Sequence, residues 1–284
     1  MPKIISIKSL STCIIIVTLL LPGACKKKTT DKCGGTSGGP GGLVSLLVST
    51  TQDKQMGLAA VNQIEADPQH YKLLDSATHV KAYGHLYRIG RNILNSGNVF
   101  YKDEFAWRLR IIHDDSTLNA FCTPGGYIYV YTGLIKYLDN ETQLAGVMGH
   151  EMAHADRRHS ASQMVKQYGI SALLSVLSDS AGPGALTNLG VNLLFLKYSR
   201  ENETEADNYS VRYLSGTDYD GRGAKYFFEK LIAKGQQGST PAFLSTHPSP
   251  DDRVANIQKL WECLGSKPGQ TFESQYADFK NSLP

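Results

Sequence analysis

The stretch His150-Glu151-Met152-Ala153-His154 constrains this chain more than any other feature of its sequence. On an α-helix, residues four apart lie on the same face, so the two imidazoles can bind one metal ion. The glutamate next to the first histidine then lies beside a water on that metal and can act as a general base. The helix that carries these residues must therefore border a site, to which another element brings further ligands.

The sequence around this motif predicts one long helix from Glu141 to Gln167. Asn140 and Gln143 have the spacing of a capping box. Gly146 and Gly149 each cost about 1 kcal/mol of helix stability relative to alanine. A glycine inside a helix often marks the close approach of another element or a ligand, which fits a crowded site.

A catalytic zinc ion normally has three protein ligands, so two histidines leave one missing. The acidic run at 201–207 supplies candidates. Glu203 and Asp207 are four apart and share a helix face, so one can bind the metal while the other accepts a hydrogen bond from a ligating histidine. Glu201 and Glu205 have the same spacing, and spacing alone leaves both pairs open.

Together, His-Glu-x-x-His and the downstream Ser-Arg-x-x-Glu-x-Glu-Ala-Asp resemble the HtpX and CAAX-prenyl-protease family of zinc metallopeptidases. They are most similar to its periplasmic, non-integral branch, which includes BepA and LoiP and has mitochondrial Oma-type enzymes as relatives. The resemblance runs from about Leu58 to Trp261. It implies one Zn²⁺ per chain, with Glu203 as the third ligand and Asp207 as the partner that orients a histidine.

A second stretch that matches the family is 119–134, in which a Pro-Gly-Gly turn precedes a strand from Tyr127 to Tyr131. In similar enzymes this strand edges the cleft, and an extended peptide can pair with such an edge through main-chain hydrogen bonds. The same stretch also fits an ordinary hairpin strand, and the run 107–112 predicts a partner for it. The resemblance implies that four residues bind substrate: Gly126, Tyr127, Ile128 and Tyr129.

A third matching stretch, Thr246-His247-Pro248-Ser249-Pro250, predicts a rigid loop before a helix. In the family this histidine approaches the active site, which implies three roles for His247: to bind substrate, to stabilise the oxyanion as a catalytic residue, or to occupy the open position of the resting zinc. A lone loop histidine is also often a surface residue. Arg253 is expected to tie the loop down through a carboxylate. His159, nine residues after His150, is predicted to lie on the opposite helix face, outside the site.

The N-terminus predicts export. A short basic start is followed by the apolar run from Ile14 to Leu21, which is too short to span a bilayer, and together they predict a signal peptide over residues 1–24. Pro22-Gly23-Ala24-Cys25 is similar to a bacterial lipoprotein cleavage site, with proline where leucine is usual, so Cys25 is the expected lipidation site. A lipid anchor would hold the chain on the periplasmic side of a bacterial membrane. A transmembrane anchor and a secreted form stay open as alternatives.

Composition bounds the rest of the chain. Residues 25–42 are rich in Gly, Thr and Ser and predict a flexible tether, and 43–284 fit one metallopeptidase domain. A net charge of +3, with no long basic block beyond Lys26–Lys28, argues against nucleic acid as a partner. Three cysteines follow the predicted lipidation site, so at most one disulfide forms among them. Cys122 can pair with Cys263 or be a free, buried thiol.

The expected fold is α+β: a mostly helical, zincin-type metallopeptidase domain with a small β-sheet beside the metal-binding helix. Residues 169–196 predict two helices joined by a turn at Gly182-Pro183-Gly184, with neither run long enough to span a membrane. The predicted helices are Val44 to Ala66, Val80 to Ser96, Glu141 to Gln167, Ser171 to Leu196 with that turn, Arg200 to Leu214, Gly223 to Lys234 and Pro250 to Leu260.

The predicted chemistry is metal-assisted hydrolysis of peptide bonds in misfolded or envelope proteins. His150, His154 and Glu203 bind zinc and leave one position for water. Glu151 takes the proton of that water and passes it to the leaving amine. A protein of another class stays open: a periplasmic chaperone or assembly factor for outer-membrane proteins, whose cleft binds unfolded chains with little or no proteolysis.

Overall fold

The computed structural model of the 284-residue chain describes residues 32–34, 40–42, 44–178, 180–182, 184–235, 242–247 and 251–284. The predicted signal peptide, the predicted lipidation site Cys25 and most of the predicted tether lie outside the described residues. Pro183 of the predicted turn and the prolines that follow His247 also lie outside them.

The described residues form helices on both sides of a short sheet, and this confirms the predicted mostly helical α+β class. The elements run in the order α1 (Val44–Leu47), α2 (Thr50–Ala66), α3 (Val80–Leu94), β1 (Arg108–Ile112), β2 (Ala120–Thr123), β3 (Tyr127–Tyr131), α4 (Thr132–Tyr137), α5 (Glu141–Asp156), α6 (His159–Tyr168), α7 (Ile170–Leu177), α8 (Ala185–Leu194), α9 (Arg200–Ser215), α10 (Gly223–Gly235), α11 (Phe243–Thr246), α12 (Asp251–Cys263) and α13 (Glu273–Asn281).

Two predicted helices are broken where the sequence offers no glycine or proline. The first is interrupted at Ser49, whose side chain accepts from the amide of Gln52 and starts α2. The second ends at Asp156, because Arg158 takes a left-handed conformation with φ 59°, and a new helix begins at His159. The buried Arg158 is held there by a 2.6 Å ion pair to Asp53. The prediction of a single helix through this point is therefore wrong.

The sheet has the order β1-β3-β2, with β3 parallel to β1 and antiparallel to β2. The predicted partner strand at 107–112 is confirmed as β1. The expectation that Tyr127–Tyr131 edges the cleft is wrong, since this strand lies in the middle and all its residues are buried. Gly125 and Gly126, at φ 79° and 85°, fold the chain back so that β2 covers the outer side of β3. The main-chain groups of β3 are therefore paired on both sides rather than free to bind a peptide.

Helix α5 is the centre of the molecule, with every residue from Glu141 to Asp156 buried. It packs against α9, α10 and β2. A Cβ on Gly146 would lie 2.1 Å from the amide nitrogen of Ala224 in α10, and one on Gly149 would lie 2.9 Å from the hydroxyl of Ser210 in α9. The prediction that these glycines mark a close approach is confirmed. This approach brings the motif helix within reach of the side chains of α9.

The helices α7 and α8 form a separate layer with α1, α2 and α6. Buried leucines of the pair, including Leu173 and Leu189, pack in a cluster with Met56 and Ala60 of α2. Two helices at 169–196 were predicted, and two are present. Among the described residues, no helix has the length and apolarity needed to cross a membrane.

The cysteines pair differently from the expected alternative. Cys33 and Cys263 form a disulfide, with a Cα–Cα distance of 5.7 Å. Cys122 is free and buried in β2. Pairing of Cys122 with Cys263 is therefore wrong, because Cys122 faces the core beside Glu151, whereas Cys263 ends α12 and meets the N-terminal segment. One residue of the predicted tether is thus bonded to the end of a helix.

Candidate metal centre

Four buried side chains converge where α5, α9 and the end of α11 meet. His150 and His154 come from α5, Glu203 from the first turn of α9, and His247 from the residue after α11. Ser199 caps α9 by accepting from the amide of Asn202, which fixes where the helix begins and so where Glu203 points. One donor atom from each of the four lies within 4.8 Å of the others, so the group can hold a single metal ion.

The distances place the donor atoms around one point. Nε2 of His150 and Nε2 of His154 are 3.0 Å apart. Glu203 approaches both nitrogens, at 3.4 Å from His150 and 3.5 Å from His154. Nδ1 of His247 is 3.0 Å from Glu203 and 3.2 Å from Nε2 of His150. Imidazole nitrogens with one carboxylate are the ligand set of catalytic zinc sites, so the residues fit zinc.

The two acidic pairs that spacing left open lie in different places. Glu203 is 2% exposed and Asp207 is 2% exposed, and both point toward α5. Glu201 is exposed to solvent, and Glu205 pairs with Arg157 away from the donor cluster. The helix face with Glu203 and Asp207 is therefore the one that borders the metal centre.

His150 is supported by a buried ion pair. Its Nδ1 is 2.9 Å from Oδ1 of Asp207. Arg253, on α12, donates to both carboxylate oxygens of Asp207 at 2.6 Å and places a third nitrogen 2.9 Å from Glu203. The expected carboxylate partner of Arg253 is thus Asp207. Through this pair α12 fixes the orientation of a ligand on α5.

His154 is supported by a residue that sequence reasoning excluded. Nδ1 of His154 lies 3.0 Å from Nδ1 of His159, which is 2% exposed. The prediction that His159 faces away is wrong, because it assumed one unbroken helix, and the break at Arg158 turns α6 back toward the site. The ring of Tyr198 stacks on His154 at a centroid distance of 3.8 Å. The sequence carries no turn signal at Arg158 that would have revealed this.

Residues 80–261 match the model of Peptidase family M48. The chain belongs to that family. The resemblance inferred from its motifs is thereby confirmed, and zinc, the metal that M48 metallopeptidases use, is the ion that the buried donor set fits.

Named relatives agree with the family. The mitochondrial metalloendopeptidase OMA1 of Schizosaccharomyces pombe is 36% identical over 159 residues, which cover 55% of this chain and 47% of the relative. The beta-barrel assembly-enhancing protease of Escherichia coli is 35% identical over 161 residues, which cover 52% of this chain and 33% of the relative. The chain therefore matches between a third and a half of the length of these two proteins.

The charge states of the ligands in this M48 protein suit a cation. Burial lowers the pKa of His154 well below its usual range, so this imidazole is neutral. Burial opposes the charge on Glu203, but the nearby His247 and hydrogen bonds from His150, His154 and His247 outweigh it and hold its pKa well below the usual range. Burial and Arg253 likewise disfavour a proton on His150, yet Asp207 and Glu203 raise its pKa. A metal ion can supply the positive charge that these carboxylates favour.

Glu151 has the environment of a general base. It is fully buried, and neither of its carboxylate oxygens has a hydrogen-bond partner among the described residues. Burial raises its pKa to about 7. One oxygen is 3.5 Å from Nε2 of His247. A buried carboxylate without a hydrogen bond carries a large desolvation cost, which a water or substrate group at this point would relieve.

The predicted substrate residues are not free to bind a chain in the expected way. Gly126 accepts from the amide of Arg108, and the strand that follows is paired on both sides. Tyr127 and Tyr129 pack in an apolar cluster with α2, and Ile128 packs in the main core. Instead, β2 is the strand that contacts α5 and carries Cys122 to the neighbourhood of Glu151.

Proposed function

We propose that this chain is a zinc-dependent endopeptidase that hydrolyses peptide bonds of unfolded or misassembled proteins. The observation that carries the proposal is the buried carboxylate of Glu151, which has no hydrogen-bond partner among the described residues and lies beside a buried cluster of metal donors. Membership in family M48, and relatives named as metalloendopeptidases and proteases, support it. The alternative of a chaperone with little or no proteolysis is not favoured, because the donor set and the base are both complete.

His150, His154 and Glu203 would hold the zinc ion. When bound, zinc polarises the scissile carbonyl and lowers the pKa of water. Glu151 accepts the proton of the attacking water on its carboxylate and delivers it to the leaving nitrogen, and a pKa of about 7 suits both transfers near neutral pH. Asp207 holds His150 in place through Nδ1, and Arg253 keeps Asp207 ionised.

His247 is the fourth donor of the cluster, which supports the third of its predicted roles, occupation of the open zinc position. Its ring stacks on Phe243 at a centroid distance of 4.3 Å, and its Nδ1 contacts both His150 and Glu203. If zinc were held by the other three donors, this nitrogen would compete with a substrate carbonyl for the metal. We therefore propose that His247 leaves the cluster before a peptide is cut.

The function is tested by replacing Glu151 with glutamine, which keeps the shape and removes the base. The Glu151→Gln chain should bind one equivalent of zinc and lose cleavage of casein by at least about a hundredfold, the range of a general base. Glu201→Gln, on an exposed residue, is the matched control and should leave both properties unchanged. Chelation should abolish wild-type cleavage, and added zinc should restore it. Full cleavage by the Glu151→Gln chain contradicts the proposal.

We also propose that the chain works on the periplasmic side of a bacterial envelope, with a signal peptide at 1–24 and a lipid on Cys25. The sequence of the leader and the bacterial relative named for β-barrel assembly support this location. A disulfide between Cys33 and Cys263 fits an oxidising compartment. Labelling with radioactive palmitate in a bacterial host should mark the wild-type chain and not Cys25→Ala. Equal labelling of both, or of neither, contradicts the anchor.

A further inference from the structure

The ring nitrogen of His154 that faces away from the donor cluster contacts the first of three polar side chains that form a hydrogen-bonded series: His159, Glu205 and Arg157. Nδ1 of His154 is 3.0 Å from Nδ1 of His159. Nε2 of His159 is 3.3 Å from Oε2 of Glu205, and Oε1 of Glu205 is 2.9 Å from Nε of Arg157. These contacts connect a metal donor in α5, through His159 of α6, to Glu205 of α9.

The positions of the hydrogens in this series follow from chemistry. An ionised carboxylate only accepts, so Nε2 of His159 carries a hydrogen and donates it to Glu205. The two Nδ1 atoms are 3.0 Å apart, so only one of them carries the hydrogen that lies between the rings. Nε2 of His154 is the atom that faces the donor cluster, 3.0 Å from Nε2 of His150, and its lone pair must be free to bind zinc. The hydrogen of His154 therefore lies on Nδ1, and Nδ1 of His159 is its acceptor.

We propose that His159, held by Glu205, is a positioning residue that fixes the tautomer and ring orientation of the zinc ligand His154. Tyr198 does not duplicate this role. Its ring stacks on His154 and its hydroxyl is 2.9 Å from that of Ser160, so it restrains the plane of the imidazole. Stacking cannot choose which nitrogen carries the hydrogen, whereas an acceptor at Nδ1 can.

The backbone around His159 is built to keep it there. Arg158, just before it, has φ 59°, a conformation that a side chain disfavours. This residue is buried, donates to the carboxylate of Asp53 at 2.6 Å and to the carbonyl of Val48 at 2.7 Å, and so anchors the turn to the start of α2. Without the turn, helix α5 would continue and carry His159 away from His154.

The inference rests on the zinc site of the proposed function, and two substitutions of His159 in the full chain test it. In His159→Asn the side-chain oxygen can occupy the place of Nδ1 and keep an acceptor for His154. In His159→Gln the amide reaches the place of Nε2 and keeps a donor for Glu205, without the acceptor. Zinc affinity is measured by competition with a chromophoric chelator, and the ligand geometry by the visible absorption spectrum after loading with Co²⁺.

We expect the Asn chain to bind zinc within a few-fold of the wild type, and the Gln chain to lose about 10- to 100-fold in affinity with an altered cobalt spectrum. His70→Gln, on an exposed residue, is the control and should change neither. Wild-type affinity in the Gln chain overturns the inference. Equal losses in both variants that follow a fall in metal-free melting temperature, or failure of both to fold, also overturn it, because they mark a packing role.

These outcomes are separable from those of the proposed function. A wild-type chain that binds no zinc contradicts the function itself. A wild-type chain that binds zinc tightly, with a His159→Gln chain of equal affinity, contradicts only the role of His159.

Discussion

The two histidines of the metal centre are supported in different ways. His150 meets a carboxylate directly, and Asp207 in turn is paired twice with Arg253. His154 meets another imidazole first, and the carboxylate of Glu205 comes only after it. The side chain of Asp207 is 3% exposed, whereas that of Glu205 is 36% exposed.

This difference separates two ways to orient a ligand. A carboxylate that contacts the ligand directly acts through its charge. It is buried together with the ligand, so its charge needs a buried counter-ion, which is Arg253. A neutral imidazole in direct contact needs no buried counter-ion, and the charge can remain near the surface. Substitutions that remove the support of His150 should therefore lower stability and zinc affinity more than substitutions that remove the support of His154.

The largest effect is expected from Asp207→Asn. The change removes the carboxylate that accepts two hydrogen bonds from the buried Arg253, and breaking such a pair typically costs about 3–5 kcal/mol of folding free energy. Zinc affinity should fall by about a hundredfold, the upper end for a residue that orients a ligand. Denaturant unfolding of the metal-free chain and chelator competition measure the two losses. Asp218→Asn, on an exposed residue of the following loop, is the control, and equal behaviour of the two variants would contradict the comparison.

The next largest effect is expected at Arg158, whose turn brings His159 into contact with His154. Arg158→Ala leaves Asp53 buried without its cation, and we expect a loss of about 3–5 kcal/mol at pH 8, with weaker zinc binding as α6 shifts. The loss should shrink at pH 5. Burial already raises the pKa of Asp53 to about 6 from 3.8, and without Arg158 it should rise further, so a proton neutralises the stranded carboxylate.

The sign of this pH dependence follows from proton linkage. Because the folded chain holds the proton on Asp53 more tightly than the unfolded chain, this group favours folding below pH 3.8, and that contribution is lost as the pH rises through about 6. The stability difference between wild type and Arg158→Ala should therefore grow from pH 5 to pH 8 in urea unfolding. A difference that shrinks with rising pH would mean that Asp53 is not the group left unpaired.

Local spacing was enough to predict the core of the site. His150, Glu151 and His154 follow from helix periodicity, and the glycines of α5 correctly indicated a close neighbour. The choice of Glu203 over Glu201 needed the family resemblance, because both have the same local pattern. Periodicity predicts which residues share a face of a helix, but it does not predict which other elements that face contacts.

The features that sequence reasoning missed depend on contacts between distant parts of the chain. His159 reaches the site only because Arg158 pairs with Asp53, and no local signal marks that break. The middle position of β3 results from strand order, which alternation of side chains does not encode. The disulfide links residues separated by 230 positions, and an odd cysteine count leaves its partners undetermined.

A smaller effect is expected from a substitution in α5, the helix that carries both His150 and His154. Gly146→Ala puts a methyl group against the backbone of α10, which must move, and the cost should be about 1–3 kcal/mol. Gly84→Ala in α3 is the matched control, because a Cβ there meets none of the described residues within 4 Å, and it should stabilise the chain by about 0.4–1 kcal/mol. Thermal unfolding of both variants measures the contrast. Two changes of the same sign would mean that α5 is not closely packed at this point.

The smallest effect is expected at Glu205, which reaches His154 only through His159, whereas Asp207 contacts His150 directly. Glu205→Gln keeps an oxygen that accepts from His159 but removes the charge that pairs with Arg157. Because this carboxylate is partly exposed, its ion pair should contribute no more than about 1 kcal/mol, and zinc affinity should fall by less than about tenfold. The change should be smaller still in 1 M salt, where exposed charges are screened over about 3 Å. If Glu205→Gln weakened zinc binding as much as Asp207→Asn at either salt concentration, the charge of Glu205 would be acting through His159 on the ligand, and the neutral imidazole would not isolate the metal centre from the surface.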